Sequence, residues 1–348
     1  MSNYVGTWGQ GFCPAAGLPA GYLGERTSRI AAKRGIRHGC LRLILCALLL
    51  SGMGVAQDLH ITHVQGNVYA LIGAGGNIAL QKGPDGLLLV NTGLAQNADR
   101  ALAEIQKFSQ EPIRYIINTD VSPDQIGGNE KIGLAGKTIT GGNAAGDVGY
   151  LGIGATIVAH INVLNRVSAP TGKAGVYPEK AWPSDVYETK EKHLFFNGEA
   201  VEAIHIPAAH TDGDSIVFFR RSDVVSTGDL FNMDGYPVID VTAGGNIQGV
   251  VAALNRLVDI TVPADKQEGG TYVIPGHGRI CDQADVVEYR DMITIIRDRI
   301  QDMVKKGMTL DQVRAAKPTL DYDPVFGSTT GPWTTDRFIE AVYRSFKK

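Results

Sequence analysis

The sequence predicts a mixed α/β (α+β) fold, a four-layer αββα sandwich with additional C-terminal helices. Two stretches of short apolar runs, residues 61–90 and 200–227, are each followed by segments with helical spacing. Four polar turns, carrying Asp124, His210, Asp229 and His277, each stand just past an apolar run. Polar groups at strand ends converge on one rim of a sheet, where α/β proteins place their sites. With 348 residues, 44% apolar, the chain has material for a large core. Its net charge of -3 contains no long like-charge block, so nucleic acid and an anionic membrane surface are not indicated. A small-molecule substrate is the expected partner.

The N-terminal segments differ in composition. Residues 1–28 are rich in Gly and Pro without an apolar period and read as a non-structural extension. Residues 29–56 place Arg29, Lys33, Arg34, Arg37 and Arg42 ahead of the apolar run 43–50, then Gly54, Val55 and Ala56. That is the layout of a signal peptide cleaved near Ala56, which predicts a periplasmic or secreted bacterial protein. The run is shorter than the about 20 residues a membrane span needs, so no stable anchor is expected. Three of the four cysteines precede that cleavage point, which leaves Cys281 as a buried packing residue without a disulfide partner.

From residue 57 the expected elements follow in order. Residues 61–90 read as a four-strand meander punctuated by Gly, Asn and Asp, with G-A-G-G-N at 73–77 as a hairpin tip. A helix is expected over 95–108, then a buried strand at 113–117 that feeds the loop N-T-D-V-S-P-D-Q-I-G-G-N at 118–129. A short helix at 126–135, a strand at 138–140, a Gly-interrupted helical region at 143–164 and an irregular Pro-rich insert at 166–184 come next. Strands at 200–206, 215–219, 224–227 and 271–274, with a helix at 247–258, complete a domain spanning 57–282. Residues 283–348 form a helical extension, with helices at 283–306, 310–316 and 335–346. Its apolar stripe Ile293, Ile296, Ile300 and Met303 is expected to pack on the chain's own sandwich. A homo-oligomer through these helices stays open.

The loop 118–129 is framed by N-T and Gly-Gly-Asn, His210 lies in A-H-T-D-G-D-S, Asp229 in T-G-D-L-F and His277 in P-G-H-G. In order and spacing, from about residue 60 to 280, these motifs resemble the metallo-β-lactamase superfamily. The segment Tyr236-Pro237-Val238-Ile239-Asp240 is similar to its exported branch. The resemblance implies a two-metal hydrolase with one ion on three histidines, the other on Asp, His and His, and a bridging carboxylate. In this sequence the H-x-H-x-D-H motif is degenerate: its positions fall on Asp120, Ser122, Asp124 and Gln125. Asn91 likewise stands where many relatives carry Asp.

Carried over residue by residue, the metal ligands are His210 at the first ion, with Asp120 and Ser122 at its substituted positions, and Asp124, Asp229 and His277 at the second, with Gln125 in place of its remaining histidine. Asp120 offers an oxygen, Ser122 is a poor donor, and Gln125 offers an amide carbonyl. An oxygen-rich set of this kind suits one weakly bound divalent ion (Zn, Mn or Fe), or none. The expected function is hydrolysis of a small ester, thioester, lactone or lactam through a metal-bound water, with Asp124 or Asp120 as proton acceptor. The alternative is a metal-free pseudoenzyme or binding protein in which Asp124 caps the following helix. The remaining histidines, His160 and His205 among them, are expected at the surface or in structural roles.

Overall fold

The structure, a computed structural model, describes residues 58–138, 154–169 and 177–347. The extension 1–28, the signal peptide 29–56, most of the strand expected at 138–140 and parts of the segments expected at 143–164 and 166–184 lie outside the described residues. The described chain from residue 58 onward belongs to one compact unit.

Twelve strands form two sheets: β1 His60–Gln65, β2 Val68–Ile72, β3 Ile78–Gly83, β4 Gly86–Val90, β5 Ile113–Ile117, β6 Thr156–His160 and β7 Asp185–Tyr187 in one, and β8 Glu191–Phe196, β9 Glu199–His205, β10 Ser215–Phe219, β11 Val224–Ser226 and β12 Tyr272–Ile274 in the other. The first sheet runs in sequence order, antiparallel from β1 to β4 and parallel from β4 to β7. The second has the order β12-β11-β10-β9-β8.

Period-two alternation decides which layer each side chain joins. In β4, Leu88 and Val90 face the opposing sheet, where they meet Val217 and Phe219 of β10. Leu87 and Leu89 face outward onto Ala101 and Ile105 of the helix Ala98–Phe108 and Ile132 of the helix Asn129–Ala135. On β10, Ile216 and Phe218 face the other outer layer, built from the helices Ile247–Ile260, Gln283–Lys305 and Thr335–Ser345. The result is the four-layer αββα sandwich with C-terminal helices. The stripe Ile293, Ile296 and Ile300 is fully buried on this outer layer, with Met303 packed against it. The long helix starts on a capping box in which Asp282 and Asp285 each accept from the other's backbone N–H. No helix among the described residues is long and apolar enough to cross a membrane.

Three local expectations need correction. The helical region expected at 143–164 contains β6, and among its described residues the helix begins at Ile161, in Ile161–Ser168. Its run T-I-V-A-H lies between two parallel neighbours, whose ladders a β-rich segment completes more readily than a helix would. The helix expected at 126–135 is two pieces, Pro123–Ile126 and Asn129–Ala135, separated by Gly127 and Gly128. The strand β8 was not anticipated, because E-K-H-L-F-F is an edge strand whose alternation is mostly exposed against half-buried.

Candidate active site

All four polar turns follow strand ends at one rim: Asp120 and Asp124 after β5, His210 after β9, Asp229 after β11 and His277 after β12. The first of these loops is pinned by buried amides. Asn118 and Asn129 exchange side-chain hydrogen bonds at 3.1 and 2.8 Å, and Thr92 donates to Asn129 Oδ1 at 2.9 Å. The N-T and G-G-N frame is therefore a brace that holds the loop from both ends.

The site residues fall into two groups that share Asp229. Asp120, His210 and Asp229 are all buried, with ligand atoms within 4.8 Å of one another, and Asp124, Asp229 and His277 form the second set at the same spacing. Asp124, Asp229 and His277 are thus the second ion's ligands of the sequence reading, and Asp120, its substitute oxygen ligand, stands beside His210; Asp229 is common to both sets, and neither set holds all four of Asp124, His210, Asp229 and His277. Ser122 joins neither group, and its backbone N–H donates to Asp120 Oδ1 at 2.8 Å.

The second group is closed by its own hydrogen bonds. His277 Nε2 lies 2.8 Å from Asp124 Oδ2 and 3.5 Å from Asp229 Oδ1. Burial pulls the His277 imidazole down, but the bond to Asp124 and the Asp229 charge outweigh it and raise it to about 9. Burial pushes Asp124 up, yet His277 holds it below its ordinary value. The pair is accordingly imidazolium and carboxylate at neutral pH.

Gln125 completes the closure. Asn91 Oδ1 accepts from the Thr119 backbone N–H at 3.0 Å, which turns its Nδ2 toward Gln125 Oε1 at 2.7 Å. That leaves Gln125 Nε2 to donate to Asp229 Oδ1 at 2.7 Å. A backbone donor thus fixes the direction of both amides. The amide carbonyl expected as a ligand is already taken by Asn91, and a hydrogen-bond donor faces the shared carboxylate instead. Gly76 permits this fit, since a Cβ there would come within 2.6 Å of Gln125 Nε2.

The first group is left open. Asp120 Oδ2 accepts from Thr119 Oγ1 at 2.8 Å, but His210 Nδ1 is buried without a hydrogen-bond partner, 3.7 Å from Asp214 Oδ1. Burial lowers His210, and Asp214, Asp120 and Asp229 more than reverse it. Burial and the Asp120 charge push Asp229 up to about 6, and burial pushes Asp214 up to about 7. Two carboxylates within 4.8 Å repel by roughly 3–4 kcal/mol at an effective dielectric near 20. These donors fit one divalent ion: two carboxylate oxygens that a cation would relieve and an imidazole the protein alone does not satisfy. The second group does not fit another ion as arranged, because its donors already bind one another.

Asp124 does not cap its helix: the turn Pro123–Ile126 has Ser122 at its N-cap and no side-chain capping bond. His160 and His205 are stacked on each other, ring centroids 3.6 Å apart, with His160 capping the helix Ile161–Ser168 through Asn162 N–H. Burial, with His205 beside it, pushes His160 down to about 4. The buried thiol of Cys281 is pushed up to about 12, as suits a packing residue. The sequence reading passed over Asp214, whose signal is its place four residues after His210.

Residues 71–280 match the sequence profile of the Metallo-beta-lactamase superfamily. A linear primary-alkylsulfatase from Pseudomonas sp. is 23% identical over 296 residues, 76% of this chain and 54% of the relative, so the chain spans about half the length of that curated relative. A stereoselective inverting sec-alkylsulfatase from Pseudomonas sp. superposes with a TM-score of 0.56 at 16% identity, over 83% of this chain and 50% of the other. A metallo-beta-lactamase from Pontibacter korlensis gives 0.50 at 16% identity, over 68% and 99%. With more than half its length matched and the motif loops gathered on one rim, the chain belongs to the metallo-β-lactamase superfamily.

Proposed function

We propose that the protein is a hydrolase working with one divalent ion, held by Asp120, His210 and Asp229, on a small-molecule ester, thioester, lactone or lactam. A sulfate ester joins these candidates through the alkylsulfatase relative. The observation that carries the reading is the first group itself, two buried carboxylates and a buried imidazole with ligand atoms within 4.8 Å of one another. An ion there would supply Lewis acidity, polarising the scissile bond and acidifying water. With two oxygen donors and one nitrogen, the set suits Mn or Fe better than a histidine-rich site does, and zinc correspondingly less.

The second group supplies proton chemistry at the mouth. Asp124, with its side chain 30% exposed, is the accessible proton acceptor, and His277 Nε2 holds a proton that a leaving group can take. Asp229 joins the two groups, so charge at one is felt at the other.

The test is to chelate the full chain, reload it with Mn, Fe or Zn, and assay each ester class, lactams and alkyl sulfates. Ion-dependent turnover of one class, lost in His210→Ala, is expected. Silence towards every class while an ion is bound would leave the second reading, a pseudoenzyme or binding protein, which the internal closure by Gln125 and His277 favours. We also infer export, from residues 29–56 alone. Sequencing of the native N-terminus should begin near residue 57, and an intact residue 1 would refute it.

A further inference from the structure

The turn between β9 and β10 carries His210 and, four residues on, Asp214, and it is fixed from three sides. Ile206 N–H donates to the Asp214 carbonyl at 2.8 Å, which closes the turn at its base. Ser215 N–H donates to the Thr119 carbonyl at 2.7 Å, next to Asp120, and Asp240 N–H donates to the His210 carbonyl at 2.9 Å. Histidine and aspartate thus stand on one braced stretch of backbone.

Inside this turn Asp214 is a buried carboxylate that no Lys or Arg pairs with among the described residues. Thr211 N–H donates to its Oδ2 at 2.8 Å and Thr211 Oγ1 to its Oδ1 at 2.6 Å. The hydroxyl is itself held, because Thr211 Oγ1 accepts from Gly213 N–H at 3.1 Å and so has its own hydrogen to give. Both oxygens therefore act as acceptors, in a place where a carboxylate without an opposite charge is costly. The group that faces it is His210, whose Nδ1 lies 3.7 Å from Asp214 Oδ1 and has no hydrogen-bond partner. That separation is less than about 1 Å beyond an ordinary N–H···O bond of about 2.9 Å.

The two nitrogens of an imidazole point away from each other, and the bond made by one decides which carries the proton and which is free to ligate. We propose that Asp214 is a positioning residue for the ion site: it keeps the His210 proton on Nδ1 and so presents the lone pair of Nε2 to an ion between Asp120 and Asp229. The inference deepens the hydrolase reading and rests on it for the ion, since Asp214 touches neither ion nor substrate. Asp214→Asn would reverse the arrangement. Thr211 N–H can only donate, so it selects the amide oxygen at the Oδ2 position, and the NH2 then takes the Oδ1 position facing His210 Nδ1. A donor there leaves the proton on Nε2, the nitrogen the ion needs.

The experiment takes the full chain with isotope-labelled histidine in mildly alkaline buffer and reads two quantities, Zn affinity by calorimetry and the tautomer of His210 from its ring nitrogen shifts, assigned by their loss in His210→Ala. The ion-free parent should show His210 with the proton on Nδ1. In Asp214→Asn the proton should move to Nε2 and Zn affinity should fall about tenfold to a hundredfold, with the other histidine signals unchanged, which shows an intact fold. Should Asp214→Asn fail to fold, Thr211→Val carries the test: it keeps the carboxylate, removes the hydroxyl that fixes Oδ1, and should lower Zn affinity severalfold with both His210 tautomers present. A parent-like affinity in the folded variant would overturn the proposal. So would a fall in affinity with the proton still on Nδ1, because a purely structural role weakens the site without moving the proton. His210→Ala binding Zn as tightly as the parent would instead sink the ion reading itself, and the tautomer of the ion-free protein would still decide whether Asp214 directs the ring.

Discussion

The two halves of this site use the same materials, aspartate and histidine around Asp229, and reach opposite states. Asp124 pairs with His277 and Asp229 accepts from Gln125, so an imidazolium and an amide N–H supply the positive character that a second ion would give. Asp120 and His210 have no such arrangement, and His210 Nδ1 is left unpartnered. Gln125 therefore does more than leave a ligand position without an imidazole. It substitutes a hydrogen bond for a metal bond, and that closure can be reopened or extended by mutation.

The largest effect is expected at the shared carboxylate. Asp229 is held up at about 6 by burial and by Asp120, so its charge costs the ion-free protein on the order of 3 kcal/mol at neutral pH. Asp229→Asn should stabilise the ion-free protein by about that amount, abolish the ion-induced rise in Tm and reduce any hydrolysis more than a hundredfold. Thermal unfolding with and without Mn reads both signs. Destabilisation without ion, or a surviving ion response, would break the idea that repulsion at Asp229 drives ion uptake.

A smaller effect should follow from reopening the closed half. Gln125→His removes the amide that Asn91 orients and places an imidazole beside Asp124, Asp229 and His277. Ion content by elemental analysis should rise from one to two per chain. A content that stays at one would mean that Gln125 is not what closes the second group.

The smallest effect is on pH dependence. His277, raised to about 9, contributes stability that is fully present below its unfolded value near 6.5 and is lost as pH rises through 9. Asp214 at about 7 and Asp229 at about 6 act in the same direction, since the folded state keeps protons that the unfolded chain releases near pH 4. His160, lowered to about 4, acts oppositely: its contribution is lost as pH falls from 6.5 towards 4. Without ions the stability should decline from about pH 6.5 to 9, and His277→Gln should flatten the upper part of that decline. An unchanged slope in the variant would show that the Asp124–His277 pair is not the titrating element.

The sandwich was legible because period-two apolar runs and turn residues record which face of each strand is buried, as in G-L-L-L-V and S-I-V-F-F. The convergence of Asp124, His210, Asp229 and His277 was legible for the related reason that each directly follows such a run. The edge strand Glu191–Phe196 was not, because its side chains are mostly outside the core and its pattern is correspondingly faint. Nor was the bond that Gln125 makes to Asp229. Gln125 read as a carbonyl donor until Thr119 N–H, 28 residues from Asn91, fixed which end of each amide points where.

The most direct measurement is ion content of the full chain after exhaustive dialysis against Mn or Zn, compared with His210→Ala and His277→Ala. One ion per chain in the parent, lost in His210→Ala and retained in His277→Ala, is the predicted result. Two ions or none in the parent, or an ion lost with His277 but kept without His210, would contradict the assignment of the open half of the site to Asp120, His210 and Asp229.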